Sequence, residues 1–432
     1  MIGWLLFSTF IILMLAGVPI GVALGIGGSL AIAAANLDTQ WFGLLAAPQN
    51  FYAGLAKYPL LALPMFVLVG SIFDRSGVAQ RLVNFAIAIV GRGSGMLPLV
   101  AIAVAMFLGG ISGSGPANAA AVGGVMIGAM ARAGYPPAYS ASVIGAAAAT
   151  DILIPPSIAF IVYSVMVPGA SVPALFAGGM VPGVLAGLAL IVPAVWLARR
   201  HGMGASEADL PRPPLWASFK ESVWGLAAPV LILGGMRAGW FTPTEAAVVA
   251  VVYGLFVGMV IYRTIKWRDL FPIFAESAEL SAIIMLVVAL AGIFAYSVNT
   301  LSLADPVTRA ITGSGLPEAG VLALLVLMLL VVGMFLDGVS IFLIFIPLLM
   351  PIAMFYKWDL VWFGIILTMM VAVGQFTPPM AVNLMVSCKI AGVRMEQTIP
   401  WVGSLVASFM LALLLVIVFP GLALWLPKYL GY

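Results

Sequence analysis

The few residues in this chain that could do chemistry stand beside residues that break helices. Asp151 lies in Thr150-Asp151-Ile152-Leu153-Ile154-Pro155-Pro156-Ser157, and Asp337 in Gly333-Met334-Phe335-Leu336-Asp337-Gly338-Val339-Ser340. Two further breaks offer uncharged oxygens. One is Gly109-Gly110-Ile111-Ser112-Gly113-Ser114-Gly115-Pro116-Ala117-Asn118. The other is Gly374-Gln375-Phe376-Thr377-Pro378-Pro379-Met380-Ala381-Val382-Asn383. Pro155 and Pro156 lack N–H groups, so carbonyls of the preceding turn lose their helical partners. Those carbonyls, with the Thr150 and Ser157 hydroxyls, suit a hard, weakly held cation such as Na+. A tip facing a broken helix adds carbonyls from half-helix C-ends for cations and N–H groups from half-helix N-ends for an anion. The chemistry expected is binding rather than bond-making. There is no His-Glu-x-x-His and no Walker-type Gly-Lys-Ser/Thr, and a serine nucleophile would lack a base. His201, in the polar run Arg199-Arg200-His201-Gly202, and Cys388 are the only His and Cys. They exclude the usual His/Cys metal sites and any intrachain disulfide. The chain reads as no enzyme.

The elements that position these residues are membrane helices. The 432 residues are 64% hydrophobic and 8% charged, with a mean hydropathy of +1.20, against about 25% charged in soluble domains. This is an all-α polytopic membrane protein in a lipid bilayer. A net charge of +3, from dispersed basic residues, gives no footing for nucleic acid. Met1-Ile2-Gly3-Trp4 has no basic n-region and no small-residue cleavage site follows, so the N-terminus reads as a first span. Apolar runs and Gly/Pro breaks place segments at roughly 2–16, 18–35, 59–73, 96–111, 115–132, 138–153, 157–167, 173–198, 222–236, 243–262, 276–297, 319–336, 338–355, 361–375, 378–388 and 401–426. In hydrocarbon a free backbone N–H or C=O costs several kcal/mol, so irregular chain survives there only if protein or a wet cavity satisfies it. The stretches at Ser112–Asn118 and Gly333–Ser340 therefore read as tips of two re-entrant hairpins. A kink without a ligand is the other reading of such a stretch taken alone. Asp151, Asp337 and Glu245 are the ionisable residues at depth, each costing about 2.5–3.5 kcal/mol for an Asp at a helix centre. Asp151 and Asp337, at breaks, are assigned to function. Glu245, following Thr242-Pro243-Thr244, is assigned to capping.

The breakers recur. At offsets of 223 or 224, Pro19 corresponds to Pro243, Gly110 to Gly333, Ser114 to Asp337, and Pro155-Pro156 to Pro378-Pro379. The chain divides into a first repeat at 1–200, a polar linker at 201–221 and a second repeat at 222–432. Paired interrupted segments mark a secondary transporter with its site near the midplane. The positive-inside rule places the linker in the cytoplasm. Threading outward from it leaves only Lys57, Arg237, Arg309, Lys357 and Lys428 outside. The remaining thirteen of 18 Lys and Arg, Arg92 among them, lie inside. The repeats are then inverted and both termini periplasmic. Trp4, Trp41, Trp196, Trp224, Trp240, Trp267, Trp358, Trp401 and Trp425 fit an interfacial belt. Residues 79–91 and 304–312 read as interfacial amphipathic helices ahead of the hairpins, or as ordinary surface loops.

Six stretches in this order and spacing resemble the large membrane (M, or DctM-like) subunit of tripartite ATP-independent periplasmic (TRAP) transporters, essentially end to end. They are Gly110-Ile111-Ser112-Gly113-Ser114, Gly134-Tyr135-Pro136, Ile154-Pro155-Pro156-Ser157-Ile158, Phe241-Thr242-Pro243-Thr244-Glu245-Ala246-Ala247, Gly333-Met334-Phe335-Leu336-Asp337 and Thr377-Pro378-Pro379. The resemblance implies an elevator-type sodium symporter of the bacterial inner membrane, with co-transported Na+. It implies a small four-helix membrane subunit as a separate chain, and a periplasmic solute-binding protein. That protein delivers a carboxylate-bearing solute: a C4-dicarboxylate, a sialic acid or a related organic acid. Carried onto this chain, one Na+ site falls to Ser114, Thr150, Asp151, Pro155 and Ser157. A second falls to Gly333, Asp337, Ser340, Gln375 and Thr377. The solute falls between them, with Ser112, Ser114 and Asn118 near its carboxylate and Thr377 and Asn383 nearby. Asp151 stands where the family pattern leads one to expect a small or hydroxyl residue; it either fixes the charge of the site or takes part in proton coupling. The alternative function is a stand-alone cation-coupled anion symporter of similar fold. A passive channel would need a continuous polar pore rather than oxygens gathered at breaks.

Overall fold

The computed structural model of the chain describes residues 2–36, 42–91, 93–209 and 212–432; Met1, Trp41 and Arg92 lie outside them. Among the described residues every regular element is a helix. In chain order the first part holds α1 (Ile2–Leu15), α2 (Ile20–Ala35), α3 (Phe42–Leu55), α4 (Ala62–Arg75) and α5 (Val78–Val90). It continues with α6 (Met96–Ser112), α7 (Gly115–Arg132), α8 (Pro137–Ala148), α9 (Ile158–Met166) and α10 (Val172–Arg200). The second part holds α11 (Leu215–Arg237), α12 (Pro243–Phe256), α13 (Trp267–Thr300), α14 (Ala304–Thr312) and α15 (Glu318–Gly333). Then come α16 (Gly338–Phe355), α17 (Leu360–Gly374), α18 (Val382–Ala391), α19 (Ile399–Val418) and α20 (Gly421–Leu430).

Helix is what apolar chain adopts where no solvent competes for its backbone. Six stretches are long and apolar enough to cross a membrane: Tyr58–Arg75, Val172–Arg200, Pro243–Ile261, Trp267–Thr300, Gly338–Phe355 and Met395–Val418. The 12 residues of α8 and 9 of α9 reach only about 18 and 14 Å at 1.5 Å per residue. Neither crosses a hydrocarbon core of about 30 Å alone; joined through the break at Pro155-Pro156 they suffice. The same holds for α17 and α18.

Several boundaries differ from the sequence reading. The segment expected at 276–297 begins at Trp267, because the Asp269 carboxylate accepts from the Lys266 N–H at 2.8 Å and starts the helix nine residues earlier. The segment expected at 401–426 splits into α19 and α20 at Phe419-Pro420, where proline withholds a donor. The helix α3, with Pro48 inside it, has no counterpart among the expected segments. The amphipathic pieces are α5 and α14. Trp358, placed in the belt, is instead buried, and its indole N–H donates to Glu318 Oε1 at 2.6 Å. Glu245 closes a capping box at the head of α12. Its carboxylate accepts from the Thr242 N–H and hydroxyl at 2.8 Å each, and its N–H donates to Thr242 Oγ1.

Two groups of helices pack internally. α1, α2, α3, α4, α12 and α13 form one, with α2 and α3 laid along α13 and α4 along α12. α6 to α10 and α15 to α20 form the other. Within it the broken helices cross: α8 packs on α18, and α9 on α16 and α17. α5 lies between α11 and the α6–α7 hairpin, α14 lies on α16, and α13 faces α16 across the seam between the groups.

The linker is shorter than expected, running from the end of α10 to Leu215, and it is anchored. Glu207 is 2% exposed; Oε1 accepts from the Leu97 N–H at 2.8 Å and Oε2 from the Tyr135 hydroxyl at 2.6 Å. The Tyr135 oxygen in turn accepts from the Gly95 N–H. A carboxylate thus caps the head of α6, where N–H groups have no helical acceptor. Burial raises the Glu207 pKa and the hydrogen bond from Tyr135 lowers it in part. The Arg212 guanidinium donates to the Ala88 carbonyl in the last turn of α5. Glu207→Ala should leave these donors buried and unpaired, costing about 2–3 kcal/mol and lowering the apparent Tm of the detergent-solubilised protein. An unchanged Tm would make the anchor incidental.

Candidate functional site

The first tip is a left-handed turn fitted against the first break. Ser112 ends α6, Gly113 takes φ +62°, and Ser114 opens α7. A Cβ on Gly113 would lie 2.7 Å from the Pro156 carbonyl oxygen, so the turn needs glycine both for its dihedral and for its contact. The Pro155-Pro156 and Pro378-Pro379 bonds are cis. Around the first break the oxygens are close and mostly engaged. The Ser112 hydroxyl donates to Asp151 Oδ2 at 3.0 Å, and Asp151 Oδ1 has no hydrogen-bond partner although the residue is fully buried. The Thr150 hydroxyl donates to the Ala147 carbonyl at 2.8 Å. The Ser157 hydroxyl donates to the Ile152 carbonyl at 2.6 Å and caps α9. Pro155 directs its carbonyl toward Gly110.

The second tip is built differently. Asp337 caps α16 itself: Oδ1 accepts from the Val339 and Ser340 N–H groups at 3.0 and 3.1 Å, and Oδ2 accepts from the Ser340 hydroxyl. Behind it Gly333 meets Gly374, backbone to backbone. The Thr377 hydroxyl donates to the Val373 carbonyl at 2.6 Å in the last turn before the second break. Beyond that break, the Asn383 N–H and Nδ2 donate to the Gln375 backbone and side-chain oxygens at 2.9 and 3.1 Å. Asn383 Oδ1 is buried and unpartnered.

The tips and breaks converge on one cavity of about 350 Å³. Of the residues singled out from the sequence, Ser114, Asp337, Ser340 and Gln375 line it, and among the described residues Asp337 is its only charged lining residue. Gln375, expected on the second side alone, reaches both tips. Its Oε1 lies 2.8 Å from where a Gly115 Cβ would stand, and its Nε2 lies 3.6 Å from where a Gly338 Cβ would stand. Asn383 is equally close under Gly115, 2.7 Å from the same point, so a Cβ here would push the ends of both side chains aside. Ser112, Thr150, Asp151, Pro155 and Ser157 form a layer behind the first tip rather than the cavity wall. Gly333 and Thr377 stand behind the second tip in the same way. Asn118, expected at the solute, is turned away: its Nδ2 donates to the Ala105 carbonyl at 2.8 Å and ties the two arms of the first hairpin together. Sequence reasoning missed the wall opposite the tips, made by Leu280, Ile283, Ile284 and Val287 of α13. Apolar residues in an apolar helix carry no signal of that role. Chemically, the arrangement offers carboxylate, hydroxyl and amide oxygens for a hard cation. At the head of α7, N-cap Ser114 makes no side-chain capping bond; Pro116 has no N–H and the Asn118 N–H donates to the Ser114 carbonyl, so the Gly115 and Ala117 N–H groups are what this head offers an anion.

The DctM component of the tripartite ATP-independent periplasmic transporters matches residues 7–422 as a family. The chain is 37% identical over 416 residues to the C4-dicarboxylate TRAP transporter large permease protein DctM of Pseudomonas aeruginosa, covering 95% of this chain and 94% of that one. It is 32% identical to the sialic acid TRAP transporter large permease protein SiaM of Vibrio cholerae, covering 97% of each. It is 33% identical to the isethionate TRAP transporter permease protein DctMQ of Oleidesulfovibrio alaskensis, matching 97% of this chain but spanning only 65% of that longer protein. Among solved structures the fold is shared with the Alcanivorax borkumensis YdaH transporter (TM-score 0.65, 12% identity, 94% of this chain and 100% of that one). It is also shared with Neisseria gonorrhoeae MtrF (TM-score 0.63, 12% identity, 92% and 95%). The chain therefore belongs to the DctM family of TRAP transporter large permease subunits.

Proposed function

We propose that this subunit carries a carboxylate-bearing organic acid inward, driven by Na+, across the bacterial inner membrane. A small four-helix membrane subunit braces it, and a periplasmic solute-binding protein delivers the acid. The observation that carries this reading is the unequal pair of helix heads in one cavity. The head of α16 is already capped by a carboxylate, Asp337. The head of α7 is capped by an uncharged residue, Ser114, whose hydroxyl makes no cap bond. An anion is favoured at the second kind of head and repelled near the first. A carboxylate solute thus belongs at Ser114 and the start of α7, and a cation belongs beside Asp337 and Ser340. Like charges in one cavity repel, so a cation beside Asp337 offsets the repulsion between that carboxylate and the acid and favours binding of the two together.

A second cation fits the layer of Ser112, Thr150, Asp151, Ser157 and the Pro155 carbonyl. The unpartnered Asp151 oxygen is its anchor. The names of the relatives, which print C4-dicarboxylate, sialic acid and isethionate, support small organic acids as the solute class. The two packing groups support an elevator in which α6–α10 and α15–α20 move against a frame of α1–α4, α12 and α13. In this reading both termini are periplasmic and the two parts of the chain are inverted repeats.

The test is uptake of a panel of radiolabelled organic acids into proteoliposomes holding this chain with its small subunit. It is run with and without an inward Na+ gradient and the binding protein. Uptake requiring both is the expected result. Uptake requiring Na+ alone would make the chain a stand-alone symporter, and uptake requiring neither would sink the proposal. Asp337→Ala should reduce Na+-dependent uptake about tenfold or more with the protein still inserted and monodisperse; wild-type Na+ dependence would remove Asp337 from the site. Gly115→Ala should lower uptake by displacing the ends of the Gln375 and Asn383 side chains, and an unchanged rate would show that this contact is not needed.

A further inference from the structure

A second cavity, of about 700 Å³, lies along the same helices as the first. Val287 lines the site between the tips and Val288, next on α13, lines this one. On α9 the walls pass from Ala159 to Val165, and on α16 from Ser340 to Ile346. Six residues of helix are about 9 Å, so the second cavity opens less than two turns beyond the first. The walls of this cavity are mostly apolar. Among the described residues its polar lining is Asn50, Lys57, Tyr296 and Asn299, and Lys57 is the only charged one of them.

Lys57 is half-buried, and among the described residues no acid pairs with it. Its ammonium donates once, to the Val165 carbonyl at 2.7 Å, near the end of α9. An ammonium has three donors, so two remain for a ligand. The Asn50 amide is committed to its own helix through the Ala46 carbonyl. Burial holds the Lys57 pKa below that of an ordinary lysine, as expected of a cation short of counter-charge. A lysine near a helix C-terminus is itself favourable, which accounts for the Val165 contact but not for a cavity of this size around the remaining donors.

We propose that Lys57 forms an outer carboxylate subsite, where the anionic end of a small organic acid rests before it moves less than two turns deeper to the cavity between the tips. This rests on the reading of the subunit as an organic-acid carrier. The subsite is selective for charge rather than shape, since one ammonium with the Tyr296 and Asn299 side chains beside it recognises an anion but does not frame a particular skeleton.

Two measurements test it. In proteoliposomes with the small subunit and binding protein, Lys57→Met should raise KM for the transported acid about tenfold with Vmax within about twofold. Lys57→Arg should stay near wild type, a rescue that a purely packing role would not give. An unchanged KM in Lys57→Met overturns the subsite. Independently of transport, a membrane-impermeant acetylating reagent should modify Lys57, read by mass spectrometry. Succinate or N-acetylneuraminate should slow that reaction with or without Na+. Protection by neither acid overturns the proposal. If wild-type uptake proves independent of Na+ and binding protein, the carrier reading fails while the protection measurement still decides the role of Lys57.

Discussion

The structure depends on one constraint: irregular backbone deep inside an apolar fold must find partners within the protein. Two tips and two proline breaks put such backbone at the centre of the helical group formed by α6–α10 and α15–α20. They are satisfied by being pressed together. The left-handed turn at Gly113 seats on the Pro156 carbonyl, and Gly333 meets Gly374. The Met380 N–H donates to the Met334 carbonyl, joining the second break to the base of the second tip. Side chains larger than hydrogen would separate these strands of chain and leave carbonyls bare. The glycines are therefore the condition on which a polar cavity can exist at all in a chain of mean hydropathy +1.20.

Within that shared plan the two sides differ in charge placement. At the second tip the acid faces the cavity as a helix cap; at the first the acid stands one layer back. Asp151 falls at the position that Gly374 occupies 223 residues later. Where the second part lets two glycines touch, the first inserts a carboxylate beside Gly109 and turns the Ser112 hydroxyl onto it. One acid faces inward and one is withdrawn, so a single cavity holds a negative end and a helix head, at Gly115 and Ala117, with no acid to cap it.

Much of this was legible in the sequence, for physical reasons. Proline and glycine restrict the backbone through their own covalent structure, so the breaks at 113, 155–156 and 378–379 could be read without neighbours. Thr242-Pro243-Thr244-Glu245 declares its own cap, since a capping box is local. What could not be read was orientation. Asn118 and Ser114 sit in the same stretch, one tying the arms together and the other lining the cavity, and only the path of α7 decides between them. Gln375 was visible as an oxygen donor but not as the residue shared by both tips. Trp358 looked interfacial until Glu318, 40 residues earlier, proved to hold it. The wall on α13 gave no sign because apolar side chains there look like every other lipid-facing residue.

The crossing of the broken helices bears on how the chain is made. α8 packs on α18, whose first residue, Val382, follows Pro137 by 245 positions. At about 5–20 residues per second, synthesis leaves roughly 10–50 s in which α8 exists without the α18 on which it packs. Asp151 by then already has Ser112 and Gly109 beside it, both from the first part. The face of α8 that meets α18 is therefore among the last surfaces of the first part to be covered, when translation is almost finished.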